Sequence, residues 1–227
     1  EDKTLVLTFN GEIYNYRPLR EELLAAGHVF ATESDSEVLL HGFEEWGEGL
    51  LPRLRGMFGF AIWNTADKSL FLARDYFGIK PLHYTLLPGG RLVYGSEIKS
   101  ILVHPDVVKE FNEAALDGYL SFQYAVPRET FFKGIYCLPP AHYLWYRNGE
   151  ATEHRYWEPV FDPDESMTLE DAVQRIDEAF TDSVEAHRIS DVEVGCFLSG
   201  GVDSCYVASY FAGQKAFTVG FGNGQHY

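Results

Sequence analysis

A chain of 227 residues with 34 acidic and 18 basic side chains carries a formal charge of −16. That balance argues against a nucleic-acid or anionic-membrane surface. An apolar fraction of 46% excludes global disorder and supports a sizeable core, in one large domain or two small ones. No run approaches the ~18 apolar residues that would cross a bilayer. Glu1-Asp2-Lys3 leads into a strand without the layout of a signal peptide.

Thr4–Phe9 reads as a strand, and Asn10-Gly11, taken alone, as a hairpin turn after it. Pro18 opens a short helix closed by Gly27. Ser34 and Glu37 form a capping-box pattern ahead of a helix through Val38, Leu39, Phe43 and Trp46, ended by Gly47. Strands are expected at Met57–Trp63, Leu70–Ala73, Leu82–Leu86 and Leu92–Tyr94, and helices at Ile98–Val103 and Asn112–Phe122. Cys137–Tyr146 returns to strand, interrupted by Pro139-Pro140.

The polar stretch Glu158–Ser166 reads as a linker, giving domains 1–160 and 161–227. Eleven acidic residues against Arg175 and Arg188 lie between Asp162 and Glu193, as expected for the linker and a solvated helix face. Thr168 caps a helix with Leu169, Val173, Ile176, Phe180 and Val184 at helical spacing. A buried strand (Glu193–Leu198), a glycine loop, a helix from about Asp203 to Phe211 and a strand at Ala216–Phe221 follow. That order begins a parallel α/β sheet. The predicted class is α+β followed by α/β.

Cys137, Cys196 and Cys205 include no CxxC and read as buried thiols of a reducing cytoplasm. The eight histidines show no HxxxH or Cys/His spacing, so structural or surface roles and no metal ligand are assigned to them. Lys80 and Lys99 are expected at the surface.

The loop Leu198-Ser199-Gly200-Gly201-Val202-Asp203-Ser204 has the chemistry of a phosphate cradle. Its glycines permit close approach of the main chain, and successive N–H groups ahead of a helix can converge on phosphate oxygens. Ser199 and Ser204 add hydroxyl donors, and Asp203 is an N-cap candidate that could orient the loop or a magnesium ion. A Gly-Gly turn with Asp203 merely capping is the plainer alternative. The Walker lysine is absent.

SGGVDS resembles the pyrophosphate loop of the N-type ATP pyrophosphatases. Upstream stand NGEIYNY (10–16), SDSEVLL (34–40), LRGMFGFAIW (54–63), ARDYFGIKPLHY (73–84), YGSEIKSIL (94–102) and LPPAHYL (138–144). Together and in this order they resemble the glutamine-hydrolysing asparagine synthetases. The resemblance implies an N-terminal-nucleophile (Ntn) hydrolase domain, an αββα sandwich, followed by the start of a synthetase domain. It assigns Asn10 and Gly11 to the oxyanion hole, these two with Glu12 and Asp35 to glutamine binding, and Leu198–Ser204 with Val219 to ATP.

Glutamine, aspartate and ATP with Mg2+ are the substrates and ion so implied, and a homodimeric parent enzyme is left open. RDYFGIKPLHY and GSEIKSIL receive turn and packing roles only. The family's N-terminal nucleophilic cysteine has no counterpart, so an internal fragment inactive by itself is expected. Relatives that amidate or cyclise another carboxylate, such as β-lactam synthetases, and a non-catalytic remnant of the fold remain open alternatives.

Overall fold

In the computed structural model, which describes residues 4–124, 128–211 and 213–220, the chain divides into two compact units, Glu1–Val160 and Phe161–Tyr227. The first contains, in order, β1 (Leu5–Ile13), α1 (Tyr16–Ala25), α2 (Asp35–Trp46), β2 (Gly56–Asn64), β3 (Ser69–Arg74), β4 (His83–Leu87), β5 (Arg91–Gly95), α3 (Ile98–Leu102), α4 (Glu113–Phe122), β6 (Ile135–Cys137), β7 (His142–Arg147) and β8 (Glu150–Arg155). A short 3₁₀ helix, Gly47–Arg53, links α2 to β2.

Two antiparallel sheets result, with strand orders β1-β2-β3-β7-β8 and β5-β4-β6. Alternation along each strand sorts side chains between two cores. Phe58, Phe60, Ile62 and Phe71 face α1 and α2, burying Leu19, Leu23, Val38 and Leu39. The intervening Ala61, Leu70, Leu72 and Leu144 meet Leu82, Tyr84 and Leu138 of the second sheet's side. Beyond that sheet, Leu87 and Ile135 pack on Ile101 of α3. The layers therefore run helix, sheet, sheet, helix, the expected αββα sandwich.

Local details depart from expectation for identifiable reasons. Asn10-Gly11 forms no hairpin: β1 runs through it, pairing Asn10 with Gly59 and Gly11 with Phe58. Glycine is needed there for space, because a Cβ on Gly11 would lie 2.1 Å from the Met57 carbonyl oxygen. α1 starts two residues before Pro18; proline is tolerated within a first turn, whose N–H groups lack intrahelical acceptors. The Ser34–Glu37 capping box is not reciprocal. Ser34 Oγ accepts the Ser36 N–H at 3.2 Å, while the Glu37 carboxylate reaches past Ser34 to the N–H groups of Ala31 and Thr32, both at 2.7 Å.

The Cys137–Tyr146 run divides between sheets, β6 in one and β7 in the other, and β8 was not anticipated in its charged sequence. Cys137 is half-buried and Cys205 exposed, leaving Cys196 as the buried thiol. Lys99 is exposed, but Lys80 is half-buried.

The second unit contains α5 (Leu169–His187), β9 (Cys196–Phe197), α6 (Val202–Ser209) and β10 (Ala216–Phe217). Thr168 caps α5 in a reciprocal box with Asp171. β9 and β10 are parallel, Cys196 opposite Ala216. The core here is small: Val184, Cys196 and Phe211, with Phe180 and Val207 partly buried around them. Leu169, Val173 and Ile176 of α5 stay exposed, as does Phe197 at 84%. The expected strand at Ala216–Phe221 is two residues long among the described residues, which exclude Phe221. No helix among the described residues is long and apolar enough to cross a membrane.

Candidate functional site

The predicted glutamine-site residues gather at the C-terminal end of β1. Asn10 and Glu12 project from one face of the strand by its period of two. Asn10 Nδ2 donates to Ser96 Oγ at 3.1 Å, and both residues line a cavity of about 310 Å³ with Thr8, Gly59, Leu82 and Tyr94. Thr8 Oγ1 and the Tyr94 hydroxyl lie 2.9 Å apart at its wall. Glu12 is exposed.

The hydrogen-bond pattern fixes where Gly11 points. Phe58, opposite Gly11, donates its N–H to Asp75 and accepts the Asp75 N–H at 2.9 Å. Both polar groups of Phe58 are thus turned away from β1, so Gly11 and Phe58 form a pair without mutual hydrogen bonds. The Gly11 N–H accordingly points to the open edge of β1. Two residues on, the Ile13 N–H points the same way and donates to Asp35 Oδ2 at 3.1 Å. A carboxylate from the first turn of α2 is thereby held on the edge that presents the Gly11 donor.

Ser96 and its support lie in segments that had been given no chemistry. Its carbonyl oxygen lies 3.0 Å from His83 Nδ1. Burial lowers the His83 pKa, outweighing the opposite effect of that carbonyl, with the Arg74 charge adding to the depression. A neutral imidazole donating from Nδ1 fits this environment. Thus NGE, LHY and YGSE form one chain of contacts, His83 to Ser96 to Asn10. Only the spacing-independent co-occurrence of these motifs could have signalled it from sequence.

The turn that delivers His83 is built on two adjacent charges. Asp75, 1% exposed, accepts N–H groups from Phe58 (3.1 Å), Phe77 (3.1 Å), Ile79 (2.9 Å) and Lys80 (3.0 Å). Arg74 donates to the carbonyls of Gly78, Lys80 and Leu138, each at 2.7 Å. RDYFGIKP therefore has the turn-forming role expected of it.

In the second unit, Leu198 follows β9, its N–H donating to the Phe217 carbonyl at 2.8 Å. Ser199 and Ser204 close the loop with their hydroxyl oxygens 3.0 Å apart. Gly200 takes φ of +83°, a conformation glycine adopts without strain. Gly201, not Asp203, is the N-cap of α6. The Cys205 N–H donates to the Gly201 carbonyl at 3.0 Å, the first helical bond, so the helix starts at Val202 and leaves Asp203 in its first turn, where its charge favours the dipole. Gly200, Gly201, Val202 and Asp203 are exposed. Val219 lies beyond β10, outside the two-residue strand that replaces the one expected at Ala216–Phe221, and is 85% exposed.

With this geometry in hand, the comparisons with known proteins are specific. Residues 1–157 match the glutamine amidotransferase domain family, to which the chain belongs. Residues 175–227 match the asparagine synthase family.

The chain is 42% identical to glutamine-hydrolysing asparagine synthetase 1 of Bacillus subtilis, over 97% of this chain and 35% of that protein. Asparagine synthetase 3 of the same organism is 39% identical, over 93% and 34%. Amidase chyE of Penicillium rubens is 32% identical, over 93% and 31%. The chain thus spans about a third of the length of these relatives. Among solved structures, a B. subtilis glutamine phosphoribosylpyrophosphate amidotransferase is similar with a TM-score of 0.48 and 16% identity, over 96% of this chain and 46% of that one.

Proposed function

We propose that the chain is part of a glutamine-dependent asparagine synthetase, containing a glutamine-hydrolysing domain and the ATP-phosphate loop of the synthetase. The observation that carries this reading is the convergence of Asn10, the Gly11 N–H and Asp35 at one end of β1, in a chain of the glutamine amidotransferase family.

Hydrolysis of the glutamine amide passes through a tetrahedral oxyanion. The Asn10 amide and Gly11 N–H are its donors, each supplying about 3 kcal/mol of transition-state stabilisation. Ser96 accepts one Asn10 N–H and leaves the other for the oxyanion. Asp35 keeps carboxylate lone pairs beyond the one engaged by Ile13, and these pair with the α-ammonium of glutamine, with Glu12 nearby on the strand.

In the synthetase half, Leu198–Ser204 receives the ATP phosphates, with Val219 at the nucleotide's edge. The exposed N–H groups of a first helical turn and the αL glycine fit a pyrophosphate. Asp203, exposed beside them, is the residue here suited to orient Mg2+, which neutralises phosphate charge when bound. ATP then adenylates the side-chain carboxylate of aspartate, releasing pyrophosphate, and ammonia displaces AMP. Reaction in a reducing cytoplasm follows from this assignment. The test is transfer of label from [amide-15N]glutamine by the full-length protein. Label in asparagine supports the reading; label released only as ammonia in the presence of ATP and aspartate contradicts it.

A further inference from the structure

A second cluster of titratable groups lies on the other side of α2 from its N-terminal Asp35, and glutamine chemistry makes no use of it. His28, just after α1, and His41, on α2, are brought together although 13 positions separate them. Their Nδ1 atoms face each other at 3.2 Å. Glu44 Oε2 lies 3.0 Å from the His41 Nδ1 and 3.7 Å from the His28 Nδ1. Both imidazoles are largely buried, and Phe30 packs edge-on against His41 with ring centroids 4.6 Å apart.

The outward-facing ring nitrogens lie beside two further carboxylates. His28 Nε2 lies 3.2 Å from Glu45 Oε2, and His41 Nε2 lies 3.6 Å from Glu37 Oε1. Each ring thus has a carboxylate beside its Nε2 and turns its Nδ1 toward the other ring and Glu44. Two imidazole nitrogens and one carboxylate oxygen, from three residues on two segments, therefore converge on one point.

The three edges of that triangle, 3.0, 3.2 and 3.7 Å, bracket the separation of ~3.3 Å expected between ligands about 2.0–2.1 Å from a tetrahedral ion. Carboxylates on the distal nitrogens are the usual outer support of metal-bound histidines. We propose that His28, His41 and Glu44 bind a divalent transition ion of the zinc class. Glu37 and Glu45 orient the two imidazoles. The fourth position opens to the hollow of about 890 Å³ that these ligands line together with Thr4–Leu7 of β1 and its approach. The ion would tie the segment after α1 to the middle of α2.

The test is a Zn2+ titration of the metal-stripped full-length protein by calorimetry, paired with Co2+ absorption. One Zn2+ per chain and the intense visible bands of tetrahedral Co2+ are expected. His41→Gln should weaken binding by well over ~10-fold, and Glu45→Gln by roughly 10-fold, as for lost outer support. Glu44→Gln alters an exposed side chain, so it should abolish the tetrahedral cobalt spectrum without affecting folding, checked by circular dichroism. Cys205→Ser should change nothing. Absence of a saturable site, or binding that survives both Glu44→Gln and His41→Gln, would overturn the proposal and leave the pair bridged by a proton.

Discussion

Asp35 Oδ2 accepts the backbone N–H of Ile13 at 3.1 Å, joining the first turn of α2 to the strand that presents Asn10 and Gly11. One carboxylate thus anchors two elements, and it is the group proposed to meet the substrate ammonium. Asp35→Ala in the full-length protein should therefore act twice. Loss of a charge-assisted bond and of an N-terminal helix charge should cost about 2 kcal/mol, read from urea unfolding. KM for glutamine should rise while synthesis from free ammonia is spared. A variant with altered stability but unchanged KM would restrict Asp35 to the structural role.

Asn10 and Ser96 make a graded pair. Removing the proposed oxyanion donor with Asn10→Ala should lower glutaminase kcat by about 100-fold or more. Ser96→Ala leaves the donor but frees its orientation, and should cost about 3- to 10-fold, the equivalent of one neutral hydrogen bond. The double variant should be no worse than Asn10→Ala, since Ser96 acts through Asn10. Additive losses in steady-state kinetics would contradict that coupling.

Asp75 tests whether RDYFGIKP is a structural turn. Its buried carboxylate accepts four backbone N–H groups, and Asp75→Ala would leave them without that acceptor. A loss of about 3 kcal/mol or more is expected in denaturant unfolding, with a disturbed His83 NMR signal because the turn leads into β4. A near-neutral result would refute the role.

Alkaline pH should unfold the first unit through its buried tyrosines. Burial raises the pKa of Tyr84, and its hydrogen bond to Glu153 raises it further. Burial likewise raises Tyr156, with Tyr76 and Asp75 adding to the effect. A folded pKa above the unfolded value of about 10 means that the unfolded chain loses these protons first. The associated stability is fully present below about pH 10 and falls as pH rises above it. Urea unfolding between pH 8 and 11 should show that decline, and Tyr84→Phe with Tyr156→Phe should flatten it. A decline unchanged in the double variant would assign it elsewhere.

Periodicity made most strands and helices of the first unit legible, because Phe58, Phe60 and Ile62 against Ala61 and Trp63 write a two-sided strand directly. The Asn10-Gly11 turn was misread since local propensity favours a hairpin, whereas the close approach of Met57 explains the glycine only once β2 is in place. β8 was missed because its charged side chains reflect a mostly exposed edge strand. Contacts between distant residues left no periodic trace: Ser96 beneath Asn10, His83 beneath Ser96, and His28 beside His41. In the second unit the Thr168 cap was clear, but the cap of α6 fell to Gly201 because its carbonyl accepts the first helical bond, from the Cys205 N–H.

The central claim is that one parent enzyme couples glutamine hydrolysis to ATP-dependent amidation of aspartate. It is tested most directly by pyrophosphate release from ATP by the full-length protein, with and without aspartate, using glutamine or ammonia as nitrogen donor. The account predicts release that requires aspartate, is accompanied by equal asparagine with either donor, and loses only the glutamine-supported rate in Asn10→Ala. Release independent of aspartate, or an Asn10→Ala variant that still uses glutamine at full rate, would contradict it.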